Sequence, residues 1–209
     1  MMALHTILPT TASQIAIRRV LATSAMALVA TMVVLGSSAC KKAEPAMVDI
    51  EVYFIDWPMM MDGRGSYGDM AKPVVRQVPA SDDIAAVAVR EMLKGPTPEE
   101  QERGFETAMP DDTMIGRRIA GIAEYKRQHP TEEIPPGNRY THGAVELLSL
   151  RIEDGTAYAD FSNEIHAYGG GSAPSGAIPA QIRKTLQQFL EIDAVVISVE
   201  SRTAVILQP

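Results

Sequence analysis

Leu147-Leu148-Ser149-Leu150-Arg151-Ile152-Glu153-Asp154-Gly155-Thr156-Ala157-Tyr158-Ala159-Asp160-Phe161 is the stretch on which the fold turns. Two apolar-rich runs flank Glu153-Asp154-Gly155, a turn whose glycine supplies positive φ without strain, so the spacing predicts a β-hairpin of 147–152 and 156–161. Past the glycine run Gly169-Gly170-Gly171, Ile182, Leu186 and Phe189 recur at helical spacing, predicting a helix from Ile178 to Leu190 with Pro179 in its first turn. Val195–Val199 then reads as a buried strand and Thr203–Leu207 as a last one.

Upstream, Val48–Ile55 alternates apolar with acidic residues and then becomes wholly apolar, which is a strand that Trp57-Pro58 ends. Trp57 reads as a core anchor, Met59–Met70 as a Gly- and Met-rich loop, and Val74–Val78 as a second short strand. A helix follows, with Ser81 as N-cap, Asp82 and Asp83 in the first turn, Ile84, Val87, Ala88 and Met92 on one face, and Gly95-Pro96 as its stop. Thr97-Pro98-Glu99-Glu100 starts one more helical turn that ends near Gly104. Between Asp111 and Tyr140, Ile115, Ile119 and Ile122 share a helical face, while Gly116 and Gly121 weaken the pattern and Pro130 ends it. The order of elements predicts a single compact α+β domain over 48–209: a mainly antiparallel sheet packed by two main helices, with a helical or loop insertion at about 114–144.

The N-terminal segment has another character. Residues 1–39 contain Arg18 and Arg19 and no acid, and Val20–Leu35 is an uncharged apolar run that leads to Gly36-Ser37-Ser38-Ala39-Cys40. A basic region, an apolar run and small residues before a cleavage point make a secretory signal. Cys40 is the one cysteine of the 209 residues, and its position resembles a lipobox, in which the cysteine takes a diacylglycerol and becomes the new N-terminus. Membrane lipid joined through Cys40 is therefore the first expected partner. Ser37 stands where a lipobox has an aliphatic residue, so ordinary release after Ser37-x-Ala39 and an uncleaved anchor are the competing readings. Residues 40–47, with Lys41-Lys42-Ala43-Glu44-Pro45-Ala46, read as anchor and linker. Lys41 after the cysteine resembles a signal for the outer membrane, should the source have two membranes.

Removing the leader takes the formal charge from -7 to -9. That acidity argues against nucleic acid as a partner. A single cysteine excludes a disulfide framework and a cysteine-rich zinc site.

Several segments taken together resemble the GerMN family, named for a spore germination protein. They are Val52-Tyr53-Phe54, Leu93-Lys94-Gly95-Pro96-Thr97-Pro98-Glu99-Glu100, Ile152 through Ser162, Gly170-Gly171-Ser172, and Gln181 through Phe189. The resemblance implies a compact α/β domain on secreted or lipid-anchored envelope proteins and does not imply an enzyme; neither enzymatic activity nor a cofactor is expected. It also implies a binding or assembly role toward an envelope ligand or protein of unspecified kind.

The densest polar cluster is Asp160-Phe161-Ser162-Asn163-Glu164-Ile165-His166, which runs into the glycines. If the strand continued, Asp160, Ser162 and Glu164 would share one face. Gly170, Gly171 and Ser172 would then let a ligand approach the backbone, where N–H groups can bind an anion. The simpler reading is that Asp160 and Ser162 hydrogen-bond the loop's own backbone. Ser162, His166 and Asp160 also have the residue types of a hydrolase triad, the alternative function, but lack a Gly-x-Ser-x-Gly elbow. His129, His142 and His166 are too scattered for a zinc site, Asp160, Asn163 and Glu164 give at most a loose calcium site, and Met59, Met60, Met61 and Met70 fit an adaptable apolar contact better than copper. No dedicated metal site is expected.

Overall fold

The computed structural model describes residues 45–203. The leader, Cys40 and the Ala204–Leu207 part of the last expected strand lie outside the described residues. Strand β1 (Met47–Asp56) turns Ile50, Val52 and Phe54 to one buried face, as period-two alternation requires. Asp56 ends the strand by accepting the Met59 amide at 3.0 Å, which caps helix α1 (Trp57–Met61). Ser66 and Asp69 form a capping box on α2 (Tyr67–Met70). The expected loop over 59–70 is thus largely two short capped helices. Trp57, expected in the core, is 41% exposed, because the cap at Asp56 turns the chain outward there.

β2 (Ala71–Pro79) pairs antiparallel with β1 along its whole length. Helix α3 (Ile84–Leu93) starts later than expected: the Ser81 hydroxyl accepts the Asp83 amide, and Asp83 is the N-cap. A Thr97–Glu100 capping box opens α4 (Pro98–Glu102). These two helices close over Arg76 of β2, whose guanidinium donates to the carbonyls of Glu91 and Gly95 and to Glu100 Oε2, each at 2.8 Å. β3 (Phe105–Glu106) pairs with Ile55 and Asp56, and α5 (Asp112–Gln128) follows.

β4 (Leu147–Glu153) and β5 (Thr156–Phe161) form the expected hairpin, with Asp154 and Gly155 both at positive φ, 47° and 75°. Helix α6 (Ser172–Leu186) begins six residues before the expected start, so Pro179 lies inside it. β6 (Ala194–Val199) then pairs parallel to β5.

The fold class is α+β, as expected. In place of one sheet the described residues form two, β2-β1-β3 and β4-β5-β6. β6 is parallel because α6 carries the chain back across before it starts, the connection that parallel pairing needs. One main core joins both sheets through α3 and α6, with Phe54, Val89, Met92, Phe161, Ile182 and Leu186 among its buried side chains. The free edge of β1 is met by α6 and the residues after it: Tyr53 donates its amide to Thr185 Oγ1 at 3.2 Å, and Glu51 to Gln188 Oε1 at 2.6 Å.

Candidate functional site

β5 stops at Phe161, and residues 163–168 wind into a 3-10 helix. The strand alternation that would have put Asp160, Ser162 and Glu164 on one face therefore ends between them. Asp160 is half-buried, and its Oδ1 accepts from the Ser198 hydroxyl at 2.5 Å and the Ser201 amide at 2.9 Å. Ser162 is buried, with its Oγ accepting the Glu146 amide at 3.0 Å. Glu164 is fully buried, and its Oε1 accepts the amides of Thr141 (2.7 Å) and His142 (2.8 Å). Asn163, between them, donates Nδ2 to the carbonyls of Gly137 (3.1 Å) and Arg139 (3.0 Å). Three consecutive buried polar side chains thus fasten the segment 137–146 to the end of the second sheet. Burial acts to raise the Glu164 pKa, but the Ser162 hydroxyl and the His142 and Thr141 amides outweigh it and hold the carboxyl below its usual range.

The triad types do not assemble. His166 is half-buried, and its pKa is lowered by burial and by nearby Arg202, against a smaller opposite push from Glu200. Among the described residues it makes no hydrogen bond to Ser162 or Asp160, and the Ser162 hydroxyl is taken by Glu146. Gly170, Gly171 and Ser172 are exposed, unlike Ser162 and Glu164. Gly169, Gly170 and Gly171 have φ of 88°, 89° and 105°, which other residues rarely adopt, and a Cβ on Gly169 would lie 3.0 Å from Arg118 Nη2 of α5.

That contact leads to a feature the sequence motifs did not single out. Helix α5 is well capped: Asp111 Oδ1 accepts the Met114 amide at 2.6 Å, and Lys126 and Arg127 stand in the last turn. Yet Ile115 is its one buried residue. Ile119, of the same expected face, is 40% exposed, as is Tyr125 at 43%. The chain folds back over this helix at 132–140. Tyr125 stacks on His129 with ring centroids 4.4 Å apart and donates its hydroxyl to Glu132, and Lys126 donates to the Pro130 carbonyl at 3.1 Å.

Between helix and return segment lies a groove of about 490 Å³, walled by Arg117, Arg118 and Tyr125 on one side and by Glu132, Glu133, Ile134 and Tyr140 on the other, with Ile122 between. A second recess of about 350 Å³ shares Ile122, Ile134 and Tyr140 and adds Lys126 and Arg139. These volumes fall in the range of small-ligand sites. Tyr140 has its phenol pKa raised, chiefly by burial, with Arg118 acting against this and Glu164 and Tyr168 with it. The one sequence signal for the groove was an isoleucine face paired with no second apolar run.

Among the described residues no group of three His, Cys, Asp or Glu side chains is placed to hold a metal ion, and no helix is long and apolar enough to cross a membrane.

Residues 119–205 match the Germane family, described as sporulation and spore germination. The matched region starts within α5 and runs through the hairpin, the glycine run, α6 and β6. Over 102 residues the chain is 29% identical to the dioxygenase swnH1 of Metarhizium robertsii, spanning 43% of this chain and 33% of that protein. The chain therefore covers about a third of that relative's length. Among solved structures it is similar to the first GerMN domain of the sporulation protein GerM from Bacillus subtilis, at 22% identity, with 78% of this chain and 92% of that one covered and a TM-score of 0.45. The tandem GerMN domains of the same protein align at 21% identity over 76% of this chain and 41% of that one, again with a TM-score of 0.45.

Proposed function

We propose that this chain, which carries a GerMN-like, Germane-family region at residues 119–205, is a non-enzymatic binding or assembly module of the bacterial cell envelope. Lipid on Cys40 holds it to a membrane, on the periplasmic side and at the outer membrane where the source has two. The groove between α5 and 132–140 receives an envelope ligand or a protein partner, and exposed Gly170, Gly171 and Ser172, which follow Gly169 where it meets Arg118, serve as an adjoining contact.

The observation that carries this reading is the pinning of the groove's far wall. Buried Asn163 and Glu164 hold 137–142 by four hydrogen bonds to its backbone, so the cavity exists before any ligand arrives. Glu164 serves binding by supporting that wall, Ser162 fastens Glu146 just beyond it, Asp160 holds Ser198 and Ser201, and a ligand meets α5 and the return segment instead. The rival reading, an envelope hydrolase on Ser162, His166 and Asp160, finds no support in a buried serine whose hydroxyl is already occupied.

The test is sedimentation of the purified full-length protein with isolated envelope fragments. The wild type is expected to co-sediment saturably, and Ile122→Asp, which puts a charge at the groove's apolar floor, to lose most of that retention. Equal retention of the two proteins would rule the groove out.

A further inference from the structure

The walls of the groove carry opposite charges that do not meet. Arg117 and Arg118 come from α5, and Glu132 and Glu133 from the return segment. Among the described residues neither guanidinium pairs with a carboxylate: the one bond of Arg117 is a 3.4 Å contact from Nε to the Thr113 carbonyl of its own helix. Glu132 is engaged by Tyr125 and by His129 Nδ1 at 3.1 Å. Among the described residues Glu133 forms no ion pair. Opposite charges facing one cavity attract, and here they stay apart because each is fixed to a different backbone element. Apolar Ile122, Ile134 and the Tyr125 and Tyr140 rings occupy the space between them.

We infer that the groove binds a zwitterionic ligand of the amino-acid or short-peptide class, one with a free carboxylate and a free ammonium separated by an apolar side chain. The inference rests on the binding role proposed above and names the ligand class for it. The carboxylate takes Arg118, whose planar fork accepts both oxygens, with Arg117 adding charge beside it. The ammonium takes Glu133, which lines the groove from the return segment. The apolar side chain lies against Ile122 and Ile134. A purely anionic ligand would meet Glu132 and Glu133, and a purely cationic one would meet both arginines, so one groove selects against each.

The test is isothermal titration calorimetry on the full-length protein in detergent micelles. The probes are the dipeptide Ala-Leu, its N-acetyl form and its C-terminal amide. Ala-Leu is expected to bind saturably, and loss of either charge to weaken it at least about tenfold, the low end of one charge-assisted hydrogen bond. Arg118→Ala should bind the acid and the amide alike, and Glu133→Gln the amine and the acetylated form alike. Both positions are exposed, so both variants are expected to fold, as circular dichroism would verify. Absence of saturable binding, equal binding of all three probes, or unchanged discrimination in both variants overturns the inference. If the dipeptides fail while envelope retention still depends on Ile122, the ligand class is wrong and the binding role stands. If that dependence is lost too, both fall.

Discussion

Glu164 shows how one residue decides what a segment does. Its buried carboxylate accepts two backbone amides from the return segment, which satisfies the charge and ties the segment down. Glu164→Ala is expected to cost about 2–4 kcal/mol and to loosen 137–142, because two donors lose their partner at once. Glu164→Gln keeps an acceptor oxygen and should cost clearly less; urea denaturation of the two variants at neutral pH checks the ranking. The sign of the pH effect follows from the lowered pKa. A carboxyl depressed in the folded state contributes stability that is complete above its unfolded pKa and is lost as pH falls through the folded one. The wild type should therefore lose stability relative to Glu164→Gln as pH drops below the ordinary carboxylate range, and parallel melting-temperature profiles would refute this. Gly176 is a second such position: a Cβ there would lie 2.1 Å from the Tyr67 ring. Gly176→Ala should destabilise by about 1–3 kcal/mol, as overpacking does. Tyr67→Ala in the same chain should recover part of that loss, which a double-mutant cycle measures.

At the scale of elements, α5 and α6 contrast. Helix α6 buries Ile178, Gln181, Ile182, Thr185 and Leu186, whereas α5 buries Ile115 alone. Most of α5 is thus stabilised by its caps, its last-turn cations and the staple from 129–132, and the core contributes little. Its amides after Ile119 are expected to exchange with deuterium well before those of α6, and matched protection in the two helices would contradict this account. Ile115→Ala should cost about 2–4 kcal/mol and detach the helix from the domain, so groove binding is expected to fall together with stability. The elements also show what local signals convey. The hairpin was legible because Asp154-Gly155 meets the backbone requirement of its turn by itself. The start of α6 was not, since Ser172–Ile178 carries Pro174, Gly176 and no side-chain cap.

Over the whole molecule, the proposed lipid on Cys40 would set where the domain works. A chain labelled with a radioactive fatty-acid precursor should carry the label at Cys40, and Cys40→Ala should lose both the label and its membrane association. Label retained by Cys40→Ala would sink the lipid anchor. The sequence by itself determined the elements that local chemistry encodes: the strand alternation of β1, the helical turn that starts at Thr97, and the hairpin turn. Tertiary structure alone decided the split into two sheets, the parallel seating of β6, and the role of Ser162-Asn163-Glu164. Its polarity suggested an exposed site, but its hydrogen-bond partners for Glu164 lie 22 and 23 residues away, beyond the reach of any local pattern. The groove has the same origin. Its two walls carry no motif in the sequence, and they become a site because the buried side chains of Asn163 and Glu164 at one end of the second sheet find their partners in the return segment, which packs beside α5.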